Sequence, residues 1–395
     1  MDIEQFTEFG HRFVDWIADY YRNIESYPVL SPLGPGEVKR QLPTAAPPEG
    51  EDMERIFEDF KRVIMPGMTH WQHPSFFAYF PANSSIPSLL AEMLTAALGA
   101  QCMVWQTSPA GTELEEVVTE WLRVMLGIPE GFTGVIQDTA STATLCALIC
   151  ARERSTGFSV NREGFSGGAR GRLGLYTSTQ AHSSIEKGAK IAGFGRELIR
   201  LIPVDDRMRM DPDGLEEAIA ADIRDGITPC CVVAALGTTS SMAIDPLRRI
   251  GETCRRHGVW LHVDAAMAGS AAVLPEARHI LDGVELADSF VFNPHKWLFT
   301  NFDCSVYFCR DAAHLVNCFS IDPEYLKTDV DMKVKNFRDW GIPLGRRFRA
   351  LKLWFVIRSF GVAGIQLKLR EHIRLAGRFA EWVENDDRFE LVVPA

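Results

Sequence analysis

The sequence predicts an α/β fold: a mainly parallel sheet with helices on both faces. Three observations predict it. From about residue 86, short apolar or β-branched runs ("TGVIQD", "RLGLYTS", "CCVVAALGTT", "GVWLHVDAA", "DSFVFNP", "CSVYFCR") alternate with helical stretches such as "STATLCALICARERS" and "PLRRIGETCRRHG", the pattern of βαβ units. With 395 residues, 46% of them hydrophobic, the chain can bury a large core and form two or three domains. Polar residues also collect at the C-terminal ends of the runs, where open α/β sheets hold ligands. Asp264 ends "VWLHVD", Lys296 follows "SFVFNPH", Thr238 and Thr239 follow "VVAALG", and His182 follows "LGLYTSTQA".

In chain order, residues 1–25 read as a helix, with Phe6, Phe9, Phe13, Trp16 and Ile17 near helical spacing. The Pro-rich "SYPVLSPLGPGEVKRQLPTAAPPEGED" is an extended linker or arm. A second helix, "EDMERIFEDFKRVIMPG", ends at Pro66-Gly67. "THWQHPSFFAYFPANSS" is aromatic and proline-punctuated, so it is not a regular element; packing, a dimer contact and a pocket wall all fit it. "EGFSGGARGR" is a surface loop before a strand. "GRRFRALKLWFVIRSFG" is a long helix with an apolar face of Leu351, Trp354, Phe355 and Ile357, and a last helix, "IRLAGRFAEWVEN", leads to a strand in "FELVVPA". The expected division is a helical, dimer-forming arm over 1–85, a large α/β domain over 86–350, and the start of a small domain over 351–395.

Bulk properties exclude several functions. Lysine and arginine total 41 against 52 acidic residues, a net charge of −11, and no basic block exists to meet nucleic acid. The start, "MDIEQFTEFGHRFVDW", has no signal-peptide architecture. Apolar stretches such as "LKLWFVIRSFG" are too short and too charged to span a bilayer, so no membrane partner is expected. Nine cysteines without a CxxC pair point to a reduced, cytoplasmic protein. His70 and His73 are close, but no acidic or cysteine neighbour completes a metal set, and no metal is expected.

"FNPHKW" places Lys296 directly after an apolar run, where its charge loses water. A snorkelling surface lysine is one reading; a lysine placed to form a Schiff base is the other. Lys296, a carboxylate at Asp264, and a helix start at "QDTASTATL" together match what pyridoxal phosphate requires. The lysine condenses with the aldehyde once it has lost its proton, which burial favours. Asp264 keeps the pyridine nitrogen protonated. Thr139, Ala140 and Ser141 offer backbone N–H groups and hydroxyls to the phosphate. His182 is a candidate to stack on the ring.

"HWQHPSFFAYFPA", "STQAHSS", "LHVDAAMAGSA", "NPHKW" and "IPLGRRFRALKLW", in this order along essentially the whole chain, resemble the pyridoxal-phosphate-dependent aromatic-L-amino-acid decarboxylases. The resemblance implies a fold type I enzyme; a homodimer is expected because the arm's helices, joined by a Pro-rich linker, bury poorly alone and would wrap a neighbour. It implies Lys296 as the Schiff-base lysine, Asp264 as the pyridinium partner, His182 against one ring face and Ala266 against the other. Thr139, Ala140, Ser141 and Asn293 match phosphate positions; Thr239 and His295 match cofactor-site positions. The family's proton donor, a tyrosine after the lysine, is matched by Tyr325 in "DPEYLKTD". Relatives with phenylalanine there release an aldehyde, so tyrosine implies an amine product. An aromatic acetaldehyde synthase and a non-catalytic cofactor-binding homologue are the alternatives.

Trp71, Tyr79, Phe80 and Pro81 match an aromatic substrate wall, and Gln101, Met103 and Gly345 match further substrate positions. Gly345 stands where relatives acting on dopa or indole substrates carry glycine. Ala82 replaces a threonine typical of animal dopa decarboxylases, while Gln101 and Met103 replace an aliphatic and an aromatic residue. Those departures weaken a dopa-specific reading; the expected substrates are tryptophan, phenylalanine, tyrosine or dopa. Glutamate is disfavoured, because the aromatic stretch has no arginine. Family members continue past "FELVVPA", so the resemblance implies a fragment or a small domain compensated by a partner subunit.

Overall fold

Seven strands form one sheet in the order β1-β7-β6-β5-β4-β2-β3. They are β1 (Thr133–Gln137), β2 (Arg172–Ser178), β3 (Ile199–Ile202), β4 (Ile227–Ala235), β5 (Trp260–Asp264), β6 (Ser289–Phe292) and β7 (Ser305–Cys309). β7 alone is reversed, pairing antiparallel with both β1 and β6; the other pairings are parallel. The C-terminal ends of β1, β6, β5, β4 and β2 therefore lie along one edge. The computed structural model describes every residue except 81, 83, 166–170, 322–332 and 395. The centre of the loop "EGFSGGARGR" and Tyr325 lie outside the described residues.

All six runs named from the sequence contain strands. β3 has no such signal: its "IRLI" includes Arg200 and an exposed Leu201, because it is an edge strand buried on only part of its length. Both faces of the sheet are covered. Alternate residues of the central strands point to opposite cores, Val232, Leu261 and Val263 into one and Cys231, Val233 and Trp260 into the other.

The chain divides into two compact units, Met1–Ala82 and Asn83–Ala395. In the first, Asp2 and Gln5 form a reciprocal cap on the helix Ile3–Arg22. Phe13 meets Phe57 at 4.7 Å and Trp16 meets Phe60 at 5.1 Å between ring centres. The single helix expected over 51–67 is three pieces: an α-helix Met53–Asp59, a π-turn Phe60–Ile64 and a 3-10 turn Met65–Gly67. Pro66 lacks the N–H that would continue the regular ladder.

In the second unit, the helix Arg349–Glu384 is interrupted at Gly361, whose φ of 63° and ψ of 166° leave helical space. Its buried face is Ala350, Leu353, Val356 and Ile357, then Ile365 and Leu369. Of the face read from the sequence, only Ile357 is fully buried; Leu351, Trp354 and Phe355 are half-buried. The helix packs on Ile86–Leu98 and Pro109–Leu126, and the ion pair of Lys352 with Glu92 at 3.0 Å turns its own side of the helix inward. By length and composition alone this helix could cross a membrane, unlike the shorter stretch "LKLWFVIRSFG" within it. The Gly361 break and the face set into the sheet-side core are features of a core helix. "FELVVPA" forms no strand in its described residues. Phe389 and Val392 are exposed there, and among the described residues no strand pairs with this segment.

A buried ion pair ties this unit together. Glu115 accepts from the Arg346 Nη2 and Nη1 atoms at 2.6 and 3.0 Å and from the Ile136 N–H at 2.8 Å. Arg346 also donates to the Ile136 carbonyl at 2.7 Å. Glu115→Gln would leave the guanidinium buried without its counter-charge, and the expected loss is about 3 kcal/mol of unfolding free energy. Urea denaturation checks this: an unchanged midpoint would show that the pair contributes nothing.

Candidate active site

Lys296 lies in the single helical turn Pro294–Trp297 that follows β6. Asn293 caps the entrance to this turn, and its carbonyl accepts the Lys296 N–H at 2.9 Å. The turn is held from both sides. Asn293 donates its backbone N–H to the Ala266 carbonyl at 3.0 Å, while its side-chain oxygen accepts from Ser305 Oγ at 2.7 Å. His295 accepts the Cys304 N–H on Nδ1 at 2.9 Å. The fixed backbone places Lys296 beside the end of β5.

β5 ends in Asp264, which pairs in register with Ala235 of β4 and Val291 of β6. At 9% exposure its carboxylate is largely out of water, and Oδ1 accepts the Ala266 N–H at 3.1 Å. The Lys296 amine sits below the ordinary lysine range because burial disfavours its charge; the negative charge of Asp264 opposes that shift only in part. Burial, with the adjacent Lys296 charge, pushes His295 down to about 4. His295 is thus a neutral ring near neutral pH, accepting through Nδ1.

The remaining expected residues flank this pair. Thr139 caps the helix Ala140–Thr156, and its Oγ1 accepts from the Thr142 N–H at 3.4 Å. Ala140 is half-buried and Ser141 exposed at the helix start, where unpaired N–H groups favour an anion. His182 is exposed after β2, and its Nδ1 accepts the Ser184 N–H at 3.2 Å and meets Ser184 Oγ at 2.8 Å. Its ring N–H is therefore on Nε2. Thr239 is exposed after β4. Its neighbour Thr238 is buried and closes the turn on Ser241 Oγ at 2.7 Å. The chain reaches that turn through Gly237, at a φ of +88°, where a Cβ would lie 2.7 Å from Ala268 Cβ.

The substrate candidates fall in two places. Trp71, Tyr79 and Phe80 belong to the first unit, with Trp71 stacked on Tyr79 at 5.7 Å. Pro81 lies outside the described residues. Gln101, Met103 and Gly345 belong to the second. Gln101 Oε1 accepts the Arg346 N–H at 2.6 Å, and its Nε2 lies 3.3 Å from where a Cβ on Gly345 would stand. Met103 is half-buried, and its carbonyl accepts the Arg338 N–H at 2.8 Å. His70, the one buried member of the histidine pair, is spent on the Tyr20 hydroxyl at 2.9 Å.

Three supporting groups escape the sequence reading. Ser184 orients His182, Ser305 orients Asn293, and the Cys304 N–H orients His295. Ser184 had a local signal, two residues after the histidine. Ser305 had none, because strand pairing rather than sequence proximity brings it to Asn293. The donor set fits pyridoxal phosphate: an amine whose charge burial disfavours, a buried carboxylate beside it, and a capped helix start.

The model of the pyridoxal-dependent decarboxylase conserved domain matches residues 35–395. The chain is 45% identical to tryptophan decarboxylase 2 of Oryza sativa subsp. japonica, over 100% of this chain and 80% of that protein. It is 45% identical to phenylacetaldehyde synthase of Arabidopsis thaliana, over 100% and 81%. The crystal structure of Oryza sativa TDC with PLP and tryptamine superposes with a TM-score of 0.96 at 38% identity, covering 100% of this chain and 82% of that one. The sheet is that of fold type I pyridoxal-phosphate enzymes. The chain belongs to the pyridoxal-dependent decarboxylase family, whose enzymes take pyridoxal phosphate as cofactor.

Proposed function

We propose that this chain is a carboxy-lyase that converts an aromatic L-amino acid to its amine and carbon dioxide. The observation that carries the reading is the half-buried Lys296 amine beside the buried carboxylate of Asp264, at the sheet edge of a decarboxylase-family fold. Pyridoxal phosphate, when bound, supplies the electron sink that takes up the pair left behind by carbon dioxide.

The chain's own residues do the rest. Lys296 Nζ, whose charged form burial disfavours, would be the nucleophile that captures the cofactor. Asp264 holds a proton on the pyridine nitrogen. Thr139, Ala140, Ser141 and Asn293 would anchor the phosphate, with Thr239 and His295 as further cofactor-site residues. His182, its tautomer set by Ser184, and Ala266 would hold the cofactor ring from its two sides. Tyr325 returns a proton to the substrate α-carbon. By resemblance to the family, Trp71, Tyr79, Phe80 and Pro81 are candidate aromatic contacts to the substrate, and Gln101, Met103 and Gly345 are further substrate positions. A serine at 345 would crowd the Gln101 amide that already stands 3.3 Å away.

The test is a product screen over tryptophan, phenylalanine, tyrosine, dopa, histidine and glutamate with added cofactor. Stoichiometric amine and carbon dioxide from an aromatic acid support the reading; no product from any of them would leave a non-catalytic homologue. The similarity to phenylacetaldehyde synthase favours aldehyde formation as the second reading, and aldehyde with ammonia and peroxide would establish it. Tyr325→Phe is expected to move most of the product from amine to aldehyde. An unchanged product would remove Tyr325 as the proton donor.

The homodimer belongs to this proposal. No residue of the helix Ile3–Arg22 is buried in the single chain, although its sequence carries Phe6, Phe9, Phe13 and Trp16. A second copy covering the arm accounts for that face, and light scattering at the mass of one chain would refute it. A cytoplasmic location is supported by nine cysteines that are all free thiols. Fractionation to an oxidising compartment would overturn it.

A further inference from the structure

Among the described residues, one group with metal-ligating chemistry stands outside the proposed reaction. Cys150, His314 and Cys318 bring two sulfurs and a ring nitrogen within 4.8 Å of one another. His314 and Cys318 are four residues apart on the helix Ala312–Phe319 and so share a face. Cys150 faces them from the helix Ala140–Thr156. Cys318 Sγ lies 3.7 Å from His314 Nε2, close to the edge of a tetrahedron around a zinc ion with bonds of about 2.3 Å to sulfur and 2.0 Å to nitrogen. The His314 ring is held by the edge of Phe158 at 5.1 Å and by Trp260 at 5.7 Å. Both cysteines are buried and His314 is half-buried, so the group opens towards solvent on the histidine side.

We propose that Cys150, His314 and Cys318 form a binding site for a thiophilic divalent cation, zinc first among them, that clamps two helices on one face of the sheet. Two sulfurs and one imidazole select zinc over magnesium or calcium, which need oxygen donors. Three protein ligands leave a fourth, outer position for water. In the metal-free chain His314 Nε2 donates to the Cys150 carbonyl at 2.8 Å. On binding, that ring proton shifts to Nδ1 and each thiol gives a proton to solvent. Two protons leave for each cation, and no electrons are exchanged.

The test uses the cofactor-loaded chain, reduced and stripped of metal by a chelator. Zinc is titrated against a chromophoric competitor, and cobalt(II) is the spectroscopic probe. One equivalent of zinc per chain is expected, with tetrahedral cobalt absorption that His314→Ala or Cys318→Ser weakens on the order of 100-fold or more in affinity. Zinc should also protect Cys150 and Cys318, and not the other cysteines, from alkylation in the unmutated chain, a readout that survives if a variant fails to fold. Absence of tetrahedral cobalt bands, equal alkylation with and without zinc, or binding that persists in both variants would overturn the site. So would a Cys150–Cys318 disulfide in the purified chain that, once reduced, takes up no zinc.

Discussion

Lys296→Ala is expected to abolish covalent capture of pyridoxal phosphate and to lower turnover by at least about 1,000-fold, because it removes the proposed nucleophile. Borohydride trapping with peptide mapping reads the first effect directly. A reducible adduct that survives on another lysine would refute the assignment. The unmutated chain carries its own check, in the pH dependence of capture. Burial lowers Lys296 from the ordinary value of 10.5, so the neutral amine becomes available at lower pH. The capture rate should climb with pH and level off below 10.5; a midpoint at or above that value would contradict the burial argument. The sign for stability follows from the same shift. Between the lowered folded value and 10.5 the unfolded chain holds the proton that the folded chain has released, so this group's contribution to stability rises with pH across that window.

Asp264→Asn is expected to cost on the order of 3–5 kcal/mol of transition-state stabilisation, roughly 100- to 5,000-fold in kcat. An amide cannot hold the pyridine nitrogen protonated, so the ring loses its capacity to accept electrons. Near-normal turnover would rule out the role. A second readout separates this from misfolding. The Asp264 charge is the influence that raises Lys296 against burial, so its removal should shift the midpoint of cofactor capture to lower pH. A folded variant with an unshifted midpoint would mean that the two groups do not sense each other.

Much of this site was legible because its chemistry is local to strand ends. Asp264 closes an apolar run and Lys296 follows another, and parallel pairing brings such ends to one edge whatever the loops between them do. The helix start at Thr139 was legible for a similar reason, since a capping residue and its helix are contiguous. The failures have their own physics. The strand expected in "FELVVPA" finds no pairing strand among the described residues, and a strand without a neighbour has no ladder to join. The sequence shows one clear apolar face in "GRRFRALKLWFVIRSFG", Leu351, Trp354, Phe355 and Ile357, but Lys352 is buried through its ion pair with Glu92, a residue far away in the sequence.

The zinc-type cluster makes the same point from the other side. His314 and Cys318 have a readable spacing, but Cys150 joins them only because two helices pack on one face of the sheet. The sequence by itself determined the alternation of strands and helices, the strand-end positions of the lysine and the carboxylate, and the membership those motifs announced. Only the tertiary structure decided which serines hold His182 and Asn293 in place, that Glu115 and Arg346 share one buried pair, and how far the Lys296 amine leaves water. Periodicity and capping are properties of neighbours in the chain, whereas burial and charge pairing depend on neighbours in space.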